Sequence, residues 1–150
     1  MKTDATSLIH QLSHALGDLE DAPVECDGYA RLATTILNHL GIEHTVYCGS
    51  AAIRDASGEL SVVPYHFWLV RESDQGPVLI DYRLRMWLGE AAPHGVFEAT
   101  RTDKGFAVGD YEYTGKPIDT PILPDNLFAL LATDFDLPSA LARARTPICG

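Results

Sequence analysis

The sequence lacks the features of several common protein classes. No apolar run reaches the roughly 18 to 20 residues that a membrane span needs, and the N-terminus has no apolar stretch of a secretory signal. Basic residues are scarce, with 11 Lys and Arg against 21 Asp and Glu and a net charge of -10. Because no basic stripe is present to neutralise phosphates, we expect no nucleic-acid partner and no membrane partner. The acidity suits a basic partner, although a role in solubility alone is the simpler interpretation.

Cysteine is also rare. The chain has three cysteines, Cys26, Cys48 and Cys149, an odd number whose spacing matches no disulfide framework. We interpret them as reduced thiols and expect a cytoplasmic protein, with export by a route that leaves no signal as the alternative. The length of 150 residues and the 46% apolar content predict a single globular domain spanning residues 1–150.

Hydrophobic periodicity predicts two helices followed by strands. Apolar residues at helical spacing mark a helix over 5–16, which ends near Gly17, and a second over 26–40, which ends at Gly41. The second helix has a broad apolar stripe, so we expect it to be central and buried. The chain then favours three strands joined by turn-forming residues, over 44–53, 60–72 and 77–82.

The pattern weakens after residue 90. Short strands are predicted over 97–99 and 106–113, and helices over 124–132 and 138–145. Pro64, inside the second long strand, marks an edge, a bulge or a break. The order of helix, helix and antiparallel meander indicates an α+β fold.

A histidine and an aspartate stand out in the predicted hairpin. If the turn is centred between Ser73 and Asp74, His66 and Asp81 lie at equal distances from it. Residues so placed in an antiparallel ladder face each other on one side of the sheet, with Cβ atoms about 4.5–5.5 Å apart. An aspartate beside a histidine fixes the tautomer of the imidazole and stabilises its protonated form.

Cys26 is the third member of this arrangement. It opens the second helix, where unpaired N–H groups and the helix dipole favour a thiolate, and a nearby imidazolium favours it further. Glu25 and Asp27 oppose the thiolate, so we expect both to point into solvent. The three residues together are typical of nucleophilic attack on a carbonyl, with N–H groups at the helix start as oxyanion donors.

Residues 20–88 resemble the transglutaminase-like core. The stretch VECDGYARLATTILNHLGIEHTVYCGS is similar to that family's Cys helix and following strand, HFWLV to its histidine strand, and VLIDY to its aspartate strand. The resemblance implies Cys26 as nucleophile, His66 as base and Asp81 as the residue that orients His66. It also implies a papain-like α+β fold, in which the Cys helix packs on an antiparallel sheet. Glu25 departs from the pattern, because the family commonly has a small residue before the cysteine.

These observations predict a thiol-dependent hydrolase or acyltransferase that attacks an amide in a peptide, an isopeptide or a glutamine side chain. Hydrolysis is favoured because water is the default acceptor in an open cleft. An acyltransferase with an amine acceptor and a catalytically inactive binding or maturation module are the alternatives. We expect a protein or peptide substrate, and no metal or organic cofactor.

Other candidate residues have simpler interpretations. Cys48, within an apolar strand, is predicted to fill the core, and Cys149 is predicted to be exposed. His10 and His14 have the i, i+4 spacing of metal ligands but lack a third ligand, so a solvated helix face is preferred. Trp68 is predicted either to line the cleft or to fill the core. For Arg83, Arg85 and Trp87 a surface position is preferred over the rim of a cleft.

Overall fold

The computed structural model describes residues 4–120, and the two helices predicted over 124–132 and 138–145 lie outside these residues. The helices are α1 (Ala5–Leu16), α2 (Cys26–His39) and α3 (Arg85–Leu88), with a short 3-10 turn at Gly17–Leu19. The strands are β1 (Thr45–Arg54), β2 (Leu60–Ser73), β3 (Gly76–Asp81), β4 (Gly95–Glu98), β5 (Thr100–Arg101), β6 (Gly105–Val108) and β7 (Tyr111–Ile118). The two long helices and the first three strands therefore confirm the elements predicted from periodicity, to within one residue at each end.

Helix α1 begins at a conventional side-chain cap. The Asp4 carboxylate accepts hydrogen bonds from the backbone N–H groups of Thr6 and Ser7, at 2.9 and 3.2 Å, which satisfies donors that the helix itself leaves unpaired. The buried face of the helix carries Leu8 and Leu12, spaced by one turn. This face packs into the same apolar cluster as α2.

The seven strands form one antiparallel sheet in the order β4-β3-β2-β1-β7-β6-β5. The first four positions follow a simple meander, but β7 returns from the end of the described chain to pair with β1. This return pairing makes β1 a central strand, and Gly49 allows it. A Cβ at Gly49 would come within 1.9 Å of the Thr114 carbonyl oxygen on β7.

The papain-like α+β class expected from the sequence is wrong. Strands account for 41% of the described residues and helices for 28%, and the antiparallel sheet curls almost into a barrel. The expectation failed because it was built on residues 20–88, whereas β4 to β7 follow that stretch and add four strands to the sheet. Their apolar runs are short, so their signal in the sequence is weak.

The curled sheet separates two apolar clusters. One combines α1 and α2 with the sheet face that carries Leu69 and Ile80. The other fills the opposite face, where Trp68, Phe106 and Tyr113 are the largest side chains. Trp68 is therefore a core residue rather than an exposed cleft wall. Among residues 4–120, no helix is both long and apolar enough to span a membrane.

The β2–β3 register differs from the predicted one by two residues. Ser73 pairs with Gly76 and Leu69 with Ile80, so the ladder, extended by one pair, sets Trp68 opposite Asp81. The predicted pairing of His66 with Asp81 is wrong, but a shift of two residues keeps both side chains on one face of the sheet. The two residues are diagonal neighbours, a separation that long side chains can bridge.

A β-bulge in β2 lies just before His66. Gly49 pairs with His66 and Ala51 with Val63, so two residues of β2, Pro64 and Tyr65, stand opposite one residue of β1. Among the alternatives raised for Pro64, the structure has the bulge, which accommodates a residue that cannot donate to the ladder. Val63 and His66 are both buried, while the two bulged residues are exposed.

Candidate active site

Asp81, at the end of β3, is a buried carboxylate with four hydrogen-bond donors. Its Oδ2 accepts from His66 Nε2 at 2.7 Å and from the Tyr113 hydroxyl at 2.8 Å. Its Oδ1 accepts from the backbone N–H groups of Arg83 and Leu84, at 3.0 and 3.1 Å. Each oxygen therefore accepts two hydrogen bonds, which compensates the loss of water around a buried charge and fixes the plane of the carboxylate.

Tyr113 was not found from the sequence. It lies on β7, far along the chain, and its hydroxyl reaches Asp81 only because β7 pairs with β1. Burial and the nearby Asp81 carboxylate raise the pKa of Tyr113, so the phenol stays a neutral donor. Its ring packs edge-on against Trp68, with centroids 5.0 Å apart.

His66 is buried on β2 between Asp81 and an aromatic wall. Its ring stacks on Trp68 with centroids 6.1 Å apart and an interplanar angle of 24°. Burial by itself lowers the pKa of His66, but the hydrogen bond to Asp81, and then the contact with Cys26, outweigh it and raise the pKa to about 9. At neutral pH the imidazole is therefore protonated, which is the state that pairs with a thiolate.

Cys26 is the first residue of α2 and its side chain is 8% exposed. Because His66 Nε2 is bound to Asp81, Nδ1 is the nitrogen left for the thiol. Nδ1 is buried and has no partner within strict hydrogen-bond geometry among the described residues, yet the thiol is close enough to raise the His66 pKa. The two side chains are therefore neighbours whose contact is looser than a well-formed hydrogen bond.

The start of α2 leaves backbone donors beside the sulfur. The N-cap residue Glu25 makes no side-chain cap, and the carboxylate of Asp27 accepts a hydrogen bond from the N–H of Gly28, at 2.8 Å. Both acidic side chains are exposed, as predicted from the need to keep their charge away from the thiolate. The remaining N–H groups of the first turn are the donors that an oxyanion at Cys26 would use.

Arg83 holds the segment that leads into Cys26. Its guanidinium donates to the carbonyls of Val24 at 2.7 Å, Ala22 at 2.9 Å and Tyr82 at 3.0 Å. It also lies 4.7 Å from the centre of the Tyr29 ring, a cation–π contact. The preferred surface interpretation of Arg83 is wrong: the residue is buried and ties the chain before α2 to the end of β3.

The remaining candidates take no part in this site. Cys48 is half-buried rather than a core residue, and Cys149 lies outside the described residues. His10 and His14 are both exposed on α1. In the part of the chain that the structure describes, no three His, Cys, Asp or Glu side chains are grouped so that they could hold a metal ion.

Cys26 opens onto a cleft of about 660 Å³, in the size range of ligand pockets. One wall is the β2 segment 61–65 with Phe67, and another is Trp87 and Leu88 of α3. Trp87 is exposed, as preferred from the sequence, and it also lines the cleft. The cleft connects Cys26 with solvent, while His66 and Asp81 are buried.

The arrangement as a whole is a buried Cys–His–Asp site at the edge of a curled antiparallel sheet. No protein-family profile matches this chain, and no curated protein or solved structure matches it.

Proposed function

We propose that this protein is a thiol-dependent hydrolase or acyltransferase that attacks an amide, with hydrolysis as the favoured outcome. The observation that carries the proposal is the His66–Asp81 hydrogen bond of 2.7 Å behind Cys26. A buried, oriented imidazole with its second nitrogen turned to a thiol at a helix start is an arrangement for covalent catalysis. The resemblance to transglutaminase-like enzymes rests on the same residues and remains part of the proposal.

In the proposed mechanism the Cys26 thiolate attacks the carbonyl carbon of the amide. The negative charge on the carbonyl oxygen is stabilised by N–H groups of the first turn of α2. When the C–N bond breaks, the amine leaves with the proton of His66 Nδ1, and the acyl group stays on the sulfur. His66 then takes a proton from water, which attacks the thioester and releases the acid and the thiolate.

An amine in place of water in the second step would make the protein an acyltransferase. A reducing compartment keeps such a thiol free, so we also propose a cytoplasmic location. No step requires a metal or an organic cofactor.

Thiol reactivity tests the nucleophile. In a Cys149→Ser background, we expect iodoacetamide to modify Cys26 faster than Cys48. Because Cys48 is the more exposed of the two, accessibility alone predicts the opposite order, and only thiolate chemistry favours Cys26. Rates are read by peptide mass spectrometry. Equal or slower labelling of Cys26 would contradict the proposal and favour an inactive binding module.

Turnover tests the reaction. Cys26→Ala should abolish the acyl-enzyme and all turnover of a peptide mixture, whereas Cys48→Ala should keep both. Deamidation, cleavage and amine incorporation change the substrate mass differently, so intact mass spectrometry distinguishes them. Turnover retained in Cys26→Ala would overturn the nucleophile assignment.

A further inference from the structure

Half of β2 has an unpaired edge next to Cys26. β3 pairs with β2 only over Leu69–Ser73, while the Leu60–His66 half pairs with β1 on one side. On the other side of this half, the described residues provide no strand. Within the described part of the chain, the backbone groups that point to this side therefore have no strand partner, and an added chain could pair with them.

The cleft at Cys26 runs along this edge. It is lined by the edge on one side and by α3 on the other, and large apolar side chains are unusually exposed there. Val62 is 47% exposed, Tyr65 69% and Trp87 53%. Exposed apolar side chains grouped around a cleft indicate a binding surface.

The charges at the cleft have one sign. Glu25 and Asp27, on either side of Cys26, are exposed, and the cleft-lining residues within 4–120 include no lysine or arginine. The chain as a whole carries a net charge of -10. A ligand that combines apolar and cationic groups fits this surface best.

We propose that the acyl donor is an extended peptide that pairs with the free edge of β2 and brings its reacting amide to Cys26. Its apolar side chains contact Val62 and Trp87, and a lysine or arginine lies beside Glu25 and Asp27. Backbone pairing supplies affinity, and the alternate side chains supply specificity. The inference rests on the proposed function and names its substrate class.

The competing interpretation is that Pro64 and the bulge only protect an exposed edge from aggregation. Proline and bulges are common devices for this purpose. That interpretation predicts no selective peptide binding. Since Pro64 has no N–H, the proposed pairing is interrupted there and involves a short peptide.

Binding to the Cys26→Ala protein separates these interpretations without requiring catalysis. The probe is a short fluorescein-labelled peptide in which valine alternates with lysine around a central glutamine. Its binding is measured by fluorescence anisotropy. A second peptide, the glutamate twin, carries glutamate in place of each lysine. A third peptide is N-methylated at the alternate amides whose N–H groups would bond to β2. We expect both changes to weaken binding by about tenfold or more, corresponding to about 1.4 kcal/mol. Equal affinity of the N-methylated peptide overturns edge pairing, and equal affinity of the glutamate twin overturns the charge selection.

Protein variants test where on the surface the peptide binds. Trp87→Ala should weaken the lysine peptide by about tenfold, and Glu25→Gln with Asp27→Asn should remove its advantage over the glutamate twin. Asp103→Asn, which removes an exposed charge in the turn between β5 and β6, is the matched control and should change neither. If the wild type forms an acyl-enzyme but none of the peptides binds, this inference is wrong and the proposed function stands. If the peptides bind as expected but no acyl-enzyme forms, the proposed function fails.

Discussion

At the scale of single residues, Asp81 is the most constrained group of the site. It accepts two hydrogen bonds from backbone N–H groups of the turn that follows β3, and two from side chains of other strands. The carboxylate therefore joins β2, the end of β3 and β7 at one point. Its orientation is fixed by these four bonds, and it holds the His66 ring in one orientation.

The first prediction concerns Asp81→Asn in the proposed enzyme. The change keeps the shape but removes the charge that stabilises the imidazolium, so Cys26 should be a thiolate less often. We expect turnover to fall by a factor of about 10². In serine triads the factor is about 10⁴, and it should be smaller here because a thiol ionises more easily. The rate at which iodoacetamide modifies Cys26 should fall, and His66→Ala should lower this rate further.

Tyr113→Phe is the matched control for Asp81→Asn. It removes one of the four hydrogen bonds to Asp81 but keeps the charge, so the fall in the alkylation rate of Cys26 should be clearly smaller. If Asp81→Asn leaves both turnover and the alkylation rate unchanged, Asp81 is only a capping group at the end of a strand. A Cys–His pair would then be the whole catalytic group.

At the scale of elements, the start of α2 depends on a glycine. A Cβ placed on Gly28 would lie 2.7 Å from Val24 Cβ, closer than real carbon atoms approach. Val24 is also the residue whose carbonyl is bound by Arg83, so it cannot move away freely. The VECDGY stretch therefore positions the sulfur by close backbone packing on one side and by the Arg83 clamp on the other.

The second prediction is that Gly28→Ala perturbs the site. Alanine favours a helix by about 1 kcal/mol, but crowding against Val24 should exceed this and lower the free energy of unfolding by about 1–2 kcal/mol net. The reaction of Cys26 with iodoacetamide should slow, because the first turn of α2 must shift. Urea unfolding and the alkylation rate measure the two effects.

Gly17→Ala is the control for Gly28→Ala. Gly17 has an ordinary helical φ of -57°, and no heavy atom lies within 4 Å of the added Cβ. Alanine there should be neutral or stabilising by up to about 1 kcal/mol. Should both variants behave alike, close packing at Gly28 does not position Cys26.

At the scale of the whole molecule, the buried histidine couples stability to pH. His66 lies on the face of the curled sheet that carries Trp68 and Tyr113, bonded to Asp81 of β3 and close to Cys26 of α2. Its folded pKa of about 9 is above the ordinary value of 6.5. Protonation of this one ring therefore favours the folded state of the whole sheet.

The third prediction is a loss of stability at alkaline pH. Because the folded pKa is raised, the contribution of the protonated ring is complete below about pH 6.5 and is lost as the pH rises to about 9. Over this window the free energy of unfolding should fall by at most about 3 kcal/mol on account of His66. Urea unfolding at several pH values measures the slope.

Two variants test whether His66 causes this pH dependence of stability. His66→Gln should flatten it, because the buried titrating group is gone. His10→Gln removes an exposed histidine of α1 and should leave the slope as in the wild type. A slope unchanged in His66→Gln would show that other groups control the pH dependence.

Several features followed from the sequence alone because they depend on local physics. The helical spacing of Leu8 and Leu12 predicted α1, and the apolar stripe after Cys26 predicted α2. Alternation and turn residues predicted β1, β2 and β3. The period of two also put His66 and Asp81 on one face of the sheet, and that result held although the assumed turn centre was wrong by two residues in register.

Only the tertiary structure decided the rest, because it depends on residues far apart in the chain. β7 pairs with β1 across more than half the described chain, and this pairing both changes the fold class and delivers Tyr113 to Asp81. Arg83 reads as an exposed charge in the sequence, and it is buried because the carbonyls of the segment before α2 surround it. No local pattern indicates which distant groups will bind a buried charge. The partners of Asp81 and Arg83 are therefore seen only in the folded structure.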